Sequence, residues 1–306
     1  MPPPAHEHVR NALWVSIVVT GVLGGIGVVW GILAGSQMIL LDGLYAIVGI
    51  GVSVLLLRAA SLAATPPTGS YPFGRAGATP LAIALQGLVM GATLVYAAAE
   101  AALVIVDGGS DVDAGSGIAY GVIAAVASVI VWGWLRRRAG TEDVLVSEAI
   151  AWKVAAWRGV GMVAGFSILG LVAGSPWDGL APFIDPAMVI ITCLLFLPAS
   201  YRLVRDAITE VMEGVPGDTI RTPVLEAVEA VRDDHRLDEP VTRVTKLGPR
   251  LYVEVEVTVD GNVTVHQQQA VRLDLERRLD DLPYDVWLNL EMLPRVLQPP
   301  LAEEPA

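Results

Sequence analysis

The sequence predicts an integral membrane protein with a six-helix transmembrane domain and a small C-terminal α/β domain in the order α-β-β-α-β. Long apolar runs fill the chain up to residue 204, and a charged tail with short alternating segments follows them. The composition agrees, since 54% of the residues are hydrophobic and the mean hydropathy is +0.57. The predicted divisions are a disordered N-terminus (1–11), the transmembrane domain (12–205), a cytoplasmic dimerisation domain (206–297) and a disordered tail (298–306).

Each apolar run is close to, or longer than, the ~20 residues that a helix needs to cross the hydrocarbon core of a bilayer. Helices satisfy their own backbone hydrogen bonds in lipid, so runs of this length are predicted to be helical. The predicted helices cover 12–34, 37–57, 80–106, 116–135, 145–173 and 183–204. Within the first, the spacings Gly21-x-x-x-Gly25 and Gly27-x-x-x-Gly31 predict faces where another helix packs closely.

The arginines near the helix ends predict the orientation of the chain in the membrane. They all fall in the termini or in alternate loops, at Arg10, Arg58, Arg75, Arg136, Arg137, Arg138, Arg202 and Arg205. The opposite loops, 107–117 and 175–182, contain no Lys or Arg. Because cytoplasmic loops carry the excess of positive charge, both termini are predicted to be cytoplasmic and the protein to lie in the plasma (inner) membrane.

The tail reads as a small α/β layer. Residues 220–231 repeat apolar side chains at helical spacing, and 241–247 is a predicted strand. Residues 251–259 alternate strictly between apolar and polar side chains, which is typical of a half-buried strand. A helix at 266–279 and a strand at 286–290 complete the order. One such layer leaves a sheet face uncovered, so a homodimer is expected.

Composition also argues against other classes of protein. The net charge of −12 disfavours nucleic acid as a partner, because its binding needs clustered Lys and Arg. Cys193 is the single cysteine, so an intramolecular disulfide is impossible, and it is interpreted as a small apolar side chain within the sixth run. The sequence contains no P-loop, dinucleotide fingerprint, catalytic triad or CxxC motif, so we do not expect an enzyme.

Several segments resemble the cation diffusion facilitator family. They are SQMILLDGLYAIV at 36–48, YPFGR at 71–75, RDAITEVMEGVP at 205–216 and VTKLGPRLYVEVEVTVDG at 244–261. The resemblance implies six helices with cytoplasmic termini, a homodimer, and export of a divalent cation, usually in exchange for protons. The divalent metal cation would be a substrate, and the sequence does not identify a cofactor.

The resemblance also implies a transport site, which this sequence matches only in part. In the family, paired ligands four residues apart on the second and fifth helices hold the metal. Residues i and i+4 share one helix face, and two facing pairs supply four tetrahedral ligands. Asp42 matches the first ligand, but Ala46, Ala151 and Ala155 stand at the others. One carboxylate compensates poorly for the lost hydration of a dication.

The predicted fifth helix carries its own charges, Glu148 and Arg158. An unpaired Arg near the membrane centre costs about 3 kcal/mol on insertion scales, so Arg158 should have a partner. We therefore predict an ion pair between Asp42 and Arg158, and name Asp42, Glu148 and Arg158 as transport-site candidates. The interpretations of Asp42 as a purely structural hydrogen-bonding group, and of Glu148 as an interfacial residue, remain open.

In the tail, the resemblance suggests a second metal site. His266 matches a ligand position, while Glu256 and Asn289 stand where histidines often occur. The predicted function is a cation transporter, cation/proton antiport with a divergent site, whose partners are the bilayer, a second copy, a cation and protons. The alternative is a transport-inactive relative that serves as a structural or regulatory membrane subunit. The sequence does not name the cation.

Overall fold

The computed structural model of the chain describes residues 5–139, 143–261 and 263–295. Six long helices come first, and a helix, two strands, a helix and a strand follow, as the sequence predicted. The long helices are α1 (Ala5–Ala34), α2 (Gln37–Ala63), α3 (Ala78–Val106), α4 (Ala114–Ala139), α5 (Asp143–Val172) and α6 (Ala181–Val211). A short 3-10 turn, Asp178–Leu180, precedes α6.

Each of the six helices is long and apolar enough to cross a membrane. Their outward faces carry large apolar side chains, among which Leu33, Val106 and Leu171 are 82%, 81% and 78% exposed. Continuous apolar surface of this kind is unfavourable in water and compatible with lipid. The chain is therefore an integral membrane protein, as predicted.

Two helix ends differ from the prediction. Helix α1 begins at Ala5, so residues 5–11 are helical where disorder was predicted. The prolines at 2–4 drove that prediction, but Pro is compatible with a helix start and the residues after them tolerate a helix. Helix α6 continues to Val211, beyond the predicted boundary at 205, because hydropathy marks where lipid ends and not where the helix ends. The predicted disorder at 1–4 and 298–306 lies outside the described residues.

The chain forms two compact units whose boundary differs from the predicted one. The first contains the chain up to Leu55 together with Gln86–Arg202. The second contains Leu56–Leu85 together with the chain from Leu203 onwards. The end of α2, the start of α3 and their connecting loop thus group with the tail. Apolar runs alone do not reveal this, because a helix that belongs to two units reads as one continuous pattern.

Glycines set the closest helix contacts of the first unit. A Cβ added at Gly43 of α2 would lie 2.5 Å from the backbone nitrogen of Val28 in α1, and one at Gly31 would lie 2.5 Å from that of Leu40. The predicted packing face at Gly27 and Gly31 is therefore confirmed. A Cβ at Gly25 would meet nothing within 4 Å, so the prediction for that glycine is wrong.

The tail part of the second unit has the predicted elements α7 (Asp218–His235), β1 (Val241–Leu247), β2 (Arg250–Val259), α8 (Val265–Leu279) and β3 (Asp285–Pro294). The sheet order is β1-β2-β3, with β1 and β2 antiparallel and β2 and β3 parallel. Strand β2 is central, and the alternation predicted for it is confirmed: Leu251, Val253, Val255 and Val257 are buried. They pack with apolar side chains of α7 and α8 in one core. The two helices thus cover one face of the sheet.

Candidate substrate site in the transmembrane helices

An ion pair between α2 and α5 forms the centre of the candidate site. The Arg158 guanidinium (Nη1) lies 3.2 Å from Oδ1 of Asp42, which confirms the predicted pair. The side chains are 32% and 17% exposed, so Asp42 is the more recessed partner. A paired Arg and Asp avoid the cost of a lone charge among apolar helices. The two groups also cancel each other's charge, so the site as a whole is close to neutral.

A tyrosine on α4, which the sequence analysis missed, is a third member of this group. The Tyr120 hydroxyl donates a hydrogen bond of 3.0 Å to Oδ2 of Asp42. Its ring packs against Trp30, with ring centroids 6.1 Å apart, and the indole of Trp30 donates to the Ser116 hydroxyl at 2.8 Å. Arg158 thus contacts one carboxylate oxygen of Asp42 and Tyr120 the other, and the two contacts together orient the carboxylate.

Gly27 provides the space in which the Tyr120 hydroxyl lies. A Cβ added at Gly27 would lie 2.5 Å from that oxygen and 2.9 Å from the Cα of Gly43. Any side chain at this position would therefore displace the hydroxyl or separate α1 from α2. The glycine spacing in α1 thus serves the site as well as the packing.

The open side of the ion pair faces a cavity of about 570 Å³ between α2, α3, α5 and α6. Asp42 and Arg158 supply the charged groups of its wall. The rest is mainly apolar: Met38, Leu41, Tyr45, Leu94, Ala151, Val154, Ala155, Gly161, Met162, Gly165, Met188, Ile191, Thr192 and Phe196. The volume suits a small organic molecule and greatly exceeds that of a bare metal ion.

Aromatic rings frame the guanidinium inside this cavity. The Cζ atom of Arg158 lies 5.7 Å from the centroid of the Tyr45 ring, a cation–π distance. The Phe196 ring of α6 packs beside Tyr45, with centroids 6.5 Å apart. Tyr45 comes three residues after Asp42, so one face of α2 presents a carboxylate and an aromatic ring together.

Both helices that carry the ion pair, α2 and α5, make close contacts with neighbouring helices. Asp185 of α6 is fully buried and accepts hydrogen bonds from the Ser36 hydroxyl at 2.7 Å and the Gln37 backbone N–H at 2.9 Å. A carboxylate at the start of α2 satisfies free N–H groups and favours the helix dipole. On α5, a Cβ at Gly159 would lie 2.7 Å from the Ala125 backbone nitrogen, so α4 and α5 are in close contact next to Arg158.

The three alanines at ligand positions have different surroundings. Ala151 and Ala155 line the cavity beside Arg158, as the resemblance implied. Ala46 lies towards α1 instead, because a Cβ at Gly24 would be 3.2 Å from the Ala46 Cβ. Two of the three alanines thus share the cavity wall with Asp42 and Arg158, and the third does not.

Glu148 does not contact Asp42 or Arg158 in this structure, and its role as a transport-site candidate stays a prediction. Its carboxylate instead accepts a hydrogen bond from the Ser16 hydroxyl of α1, and Ser16 accepts one from the Trp152 indole at 2.6 Å. Glu148 and Arg158 share one helix face, but ten residues at ~1.5 Å each place them ~15 Å apart along α5. The helical period alone did not account for this separation.

The candidate metal ligands of the tail, His266 and Glu256, form no metal-binding group among the described residues. Glu256 lies on the open face of β2 and pairs with Arg243 of β1, a contact that helps to raise the pKa of that guanidinium. His266 is exposed in the first turn of α8, and Asn289 donates weakly to Glu291 at 3.4 Å. Over the part of the chain that the structure describes, no three His, Cys, Asp or Glu side chains form a group that could hold a metal ion.

Cys193 agrees with its predicted role. It is 2% exposed and packs with Leu41, Leu94 and Val189 between helices of the first unit. A free thiol in such surroundings behaves as a small apolar side chain.

Similarity to known proteins agrees with this architecture. Residues 13–212 match the family model described as the cation efflux transmembrane domain. The manganese efflux system protein MneP of Bacillus subtilis (strain 168) is 22% identical over 283 residues, which cover 89% of this chain and 93% of that protein. The zinc transporter ZitB of Escherichia coli (strain K12) is 28% identical over 218 residues, which cover 70% of this chain and 66% of that protein.

A third relative, the uncharacterized transporter YdbO of Bacillus subtilis (strain 168), is 21% identical over 262 residues, 84% of this chain and 86% of that protein. The fold and the intramembrane site define a class of six-helix membrane proteins with a C-terminal α/β tail. The chain belongs to the cation efflux, or cation diffusion facilitator, family, as the resemblance indicated. The relatives named here are transporters rather than enzymes.

Proposed function

We propose that this protein is a membrane transporter that exchanges a cation for protons at Asp42, and that its substrate is not a tetrahedrally coordinated metal ion. One observation carries the proposal: the carboxylate of Asp42 lies in a cavity of about 570 Å³ and is paired with Arg158 at 3.2 Å. A carboxylate in such a position can hold either a proton or a cation, which is the requirement for exchange.

The ligand set argues against a bare dication as the substrate. Zinc in proteins is bound by three or four ligands, and Ala151 and Ala155 supply none beside Asp42. The guanidinium of Arg158 adds a positive charge beside Asp42, and two positive charges of a dication are repelled by it at low dielectric. MneP and ZitB are named for manganese efflux and zinc transport, so the proposed substrate of this chain departs from theirs.

The proposal includes the plasma (inner) membrane, cytoplasmic termini and a homodimer. The arginines of alternate loops support the orientation. The uncovered face of the tail sheet supports the dimer, because Tyr252 and Trp287 lie side by side on it, with ring centroids 5.6 Å apart. Trp287 is 48% exposed, and large aromatic side chains are frequent at protein interfaces.

The rival function is a transport-inactive membrane subunit. It is favoured by the three alanines at ligand positions and by Glu148, whose carboxylate is engaged by Ser16 on α1. The cavity beside the Asp42–Arg158 pair weighs against it, because a purely structural ion pair needs no open volume next to it.

Proton flux in proteoliposomes distinguishes the two functions. Vesicles with an acidic interior and an internal pH dye would receive, in turn, Mn²⁺, Zn²⁺, Na⁺, K⁺ and a small organic cation. We expect at least one monovalent or organic cation to raise the internal pH, little response to Mn²⁺ or Zn²⁺, and loss of the response in Asp42→Asn. The control is Glu100→Gln, an exposed carboxylate on α3. If no cation changes the internal pH, the inactive subunit is favoured. If Mn²⁺ or Zn²⁺ raises the internal pH equally well in Asp42→Asn, the proposed site is contradicted.

A further inference from the structure

We propose that the Asp42 cavity binds a planar, delocalised organic cation of the amidinium or guanidinium type that carries an apolar body. This inference deepens the proposed function, because it names the substrate class for the same site.

The arrangement around Arg158 indicates what the site recognises. The Arg158 guanidinium is held by a carboxylate 3.2 Å away and by the face of the Tyr45 ring 5.7 Å away. A carboxylate beside an aromatic face is the typical environment of a planar, weakly hydrated cation. The guanidinium of Arg158 therefore shows the kind of cationic group that this site accommodates.

The size and lining of the cavity define the rest of the ligand. A volume of about 570 Å³ lies within the range of sites for small organic molecules. Beyond the ion pair, its wall includes Met38, Met162 and Met188. Methionine side chains are flexible and adapt to apolar ligands of different shape. A ring system or short hydrocarbon chain attached to the cationic group would be buried there.

Arg158 and the ligand compete for a single carboxylate. Asp42 is also held by the hydrogen bond from Tyr120, and its side chain is only 17% exposed. The side chain of Arg158 is 32% exposed. A long flexible side chain at the cavity wall is the group that moves when a second cation enters. Removal of the guanidinium should therefore strengthen the binding of the ligand, which is a direction that a merely structural ion pair does not predict.

The polarity of the surroundings favours a cation over an anion. An anion could also pair with Arg158, but it would approach the negative ring faces of Tyr45 and Phe196 and the oxygens of the Asp42 carboxylate. The hydrogen bond that Tyr120 donates stabilises that carboxylate as an acceptor. Asp42 is thus prepared for a positive partner.

Three probes with one body and three head groups test the inference. Biphenyl-4-carboxamidine, biphenyl-4-carboxamide and biphenyl-4-carboxylate carry charges of +1, 0 and −1 on the same planar frame. Their binding to the full-length chain in detergent would be measured by calorimetry. We expect the amidine to bind about tenfold or more tighter than the amide and the carboxylate, as for a desolvated cation–π site with a carboxylate.

Three variants and one control make the test specific. Arg158→Gln should tighten amidine binding about tenfold, and Asp42→Asn should weaken it by a similar factor. Ala155→Phe places a ring in the cavity without a change of charge and should weaken the binding of all three probes, so the test stands even if Asp42→Asn fails to fold. Glu100→Gln should leave every affinity unchanged.

The inference is overturned if the three probes bind equally, as they would in an apolar cavity occupied by lipid or detergent. It is also overturned if the carboxylate binds best and loses affinity in Arg158→Gln, which would indicate an anion site. These results are independent of transport. Amidine binding without proton exchange would refute the proposed function alone, and Asp42-dependent exchange of Na⁺ or K⁺ without amidine binding would refute this inference alone.

Discussion

The Arg158 guanidinium lies 3.2 Å from the Asp42 carboxylate, in a cavity whose wall also contains Ala151 and Ala155. The carboxylate that matches a metal ligand of the family is thus paired with a protein cation. This pairing avoids a lone carboxylate in an apolar helix bundle in which alanines stand at the other ligand positions. It also yields direct consequences for stability, binding and pH response.

Neutralisation of one partner should cost more than neutralisation of both. Asp42→Asn should lower the unfolding free energy by about 2–3 kcal/mol, because it leaves Arg158 without its counter-charge. This loss is smaller than the ~3–5 kcal/mol typical of a fully buried pair, because the Arg158 side chain is 32% exposed. The double variant Asp42→Asn with Arg158→Gln should recover at least half of the loss. Thermal unfolding in detergent measures both, with Glu100→Gln as the control, and a double variant as unstable as the sum of its parts would contradict a direct pair.

The space beneath the Tyr120 hydroxyl should be sensitive to a single methyl group. Gly27→Ala would place a Cβ 2.5 Å from that oxygen, so we expect a loss of about 1–3 kcal/mol from overpacking. Gly25→Ala is the matched control on the same helix, because its Cβ would meet nothing within 4 Å. Gly25→Ala should be neutral or slightly stabilising. Equal melting temperatures for the two variants would mean that the α1 contact with Tyr120 is looser than described.

The sequence alone predicted the ion pair because both of its members are charged. A charged residue in an apolar run is easy to recognise, and its unfavourable free energy of insertion into the membrane implies that it has a partner. Tyr120 was missed since a tyrosine within an apolar helix gives no such signal, and its hydrogen bond depends on how α4 packs against α2. Asp185 gives a similar case: it lies in the second turn of α6, and its carboxylate accepts hydrogen bonds at the start of α2, which depends on how the two helices pack.

The contacts of Glu148 were harder to predict than those of Arg158. Its charge was as conspicuous as that of Arg158, and the helical period placed both on one face. The partner of Glu148 proved to be Ser16, a small hydroxyl on another helix that the sequence does not distinguish from any other serine. The tail was predicted more fully, because strict alternation in β2 fixes which side chains are buried.

The orientation of the helices is testable by chemical labelling. In a background with Cys193→Ala, cysteines introduced as Asp111→Cys and Gly179→Cys should react with an impermeant thiol reagent added outside intact cells. The same reagent should label Thr68→Cys, in the α2–α3 loop, only after the cells are opened. These expectations follow from the arginine-bearing loops. The reverse labelling pattern would overturn the predicted topology.

The α7–α8 contact of the tail should weaken in acid. Burial alone would raise the pKa of Asp274, but the hydrogen bond from His235 at 3.2 Å and the charges of Arg278 and Arg277 outweigh it. The pKa of Asp274 therefore lies below its usual value of 3.8. Its contribution to stability is present above that value and is lost as the pH falls through the lowered pKa.

Circular dichroism of residues 206–297 between pH 7 and pH 2 measures this effect. Asp274→Asn should lower the melting temperature at pH 7 by a few degrees, ~2–4 °C, and flatten its decrease in acid. Asp280→Asn is the matched control, an exposed carboxylate at the end of the same helix. An acid profile identical to that of the wild type in Asp274→Asn would show that other carboxylates control the transition.

The most direct test of the central claim is to rebuild the metal site with and without Arg158. Ala151→His with Ala155→Asp returns two ligands to the cavity wall that Asp42 shares, which gives three ligands for Zn²⁺. Calorimetry in detergent should detect Zn²⁺ binding when Arg158→Ala is added, and binding at least about 100-fold weaker when Arg158 is retained, because the guanidinium beside Asp42 repels the dication. Equal Zn²⁺ affinity with and without Arg158 would contradict the account, as would tight Zn²⁺ binding at Asp42 in the unaltered protein.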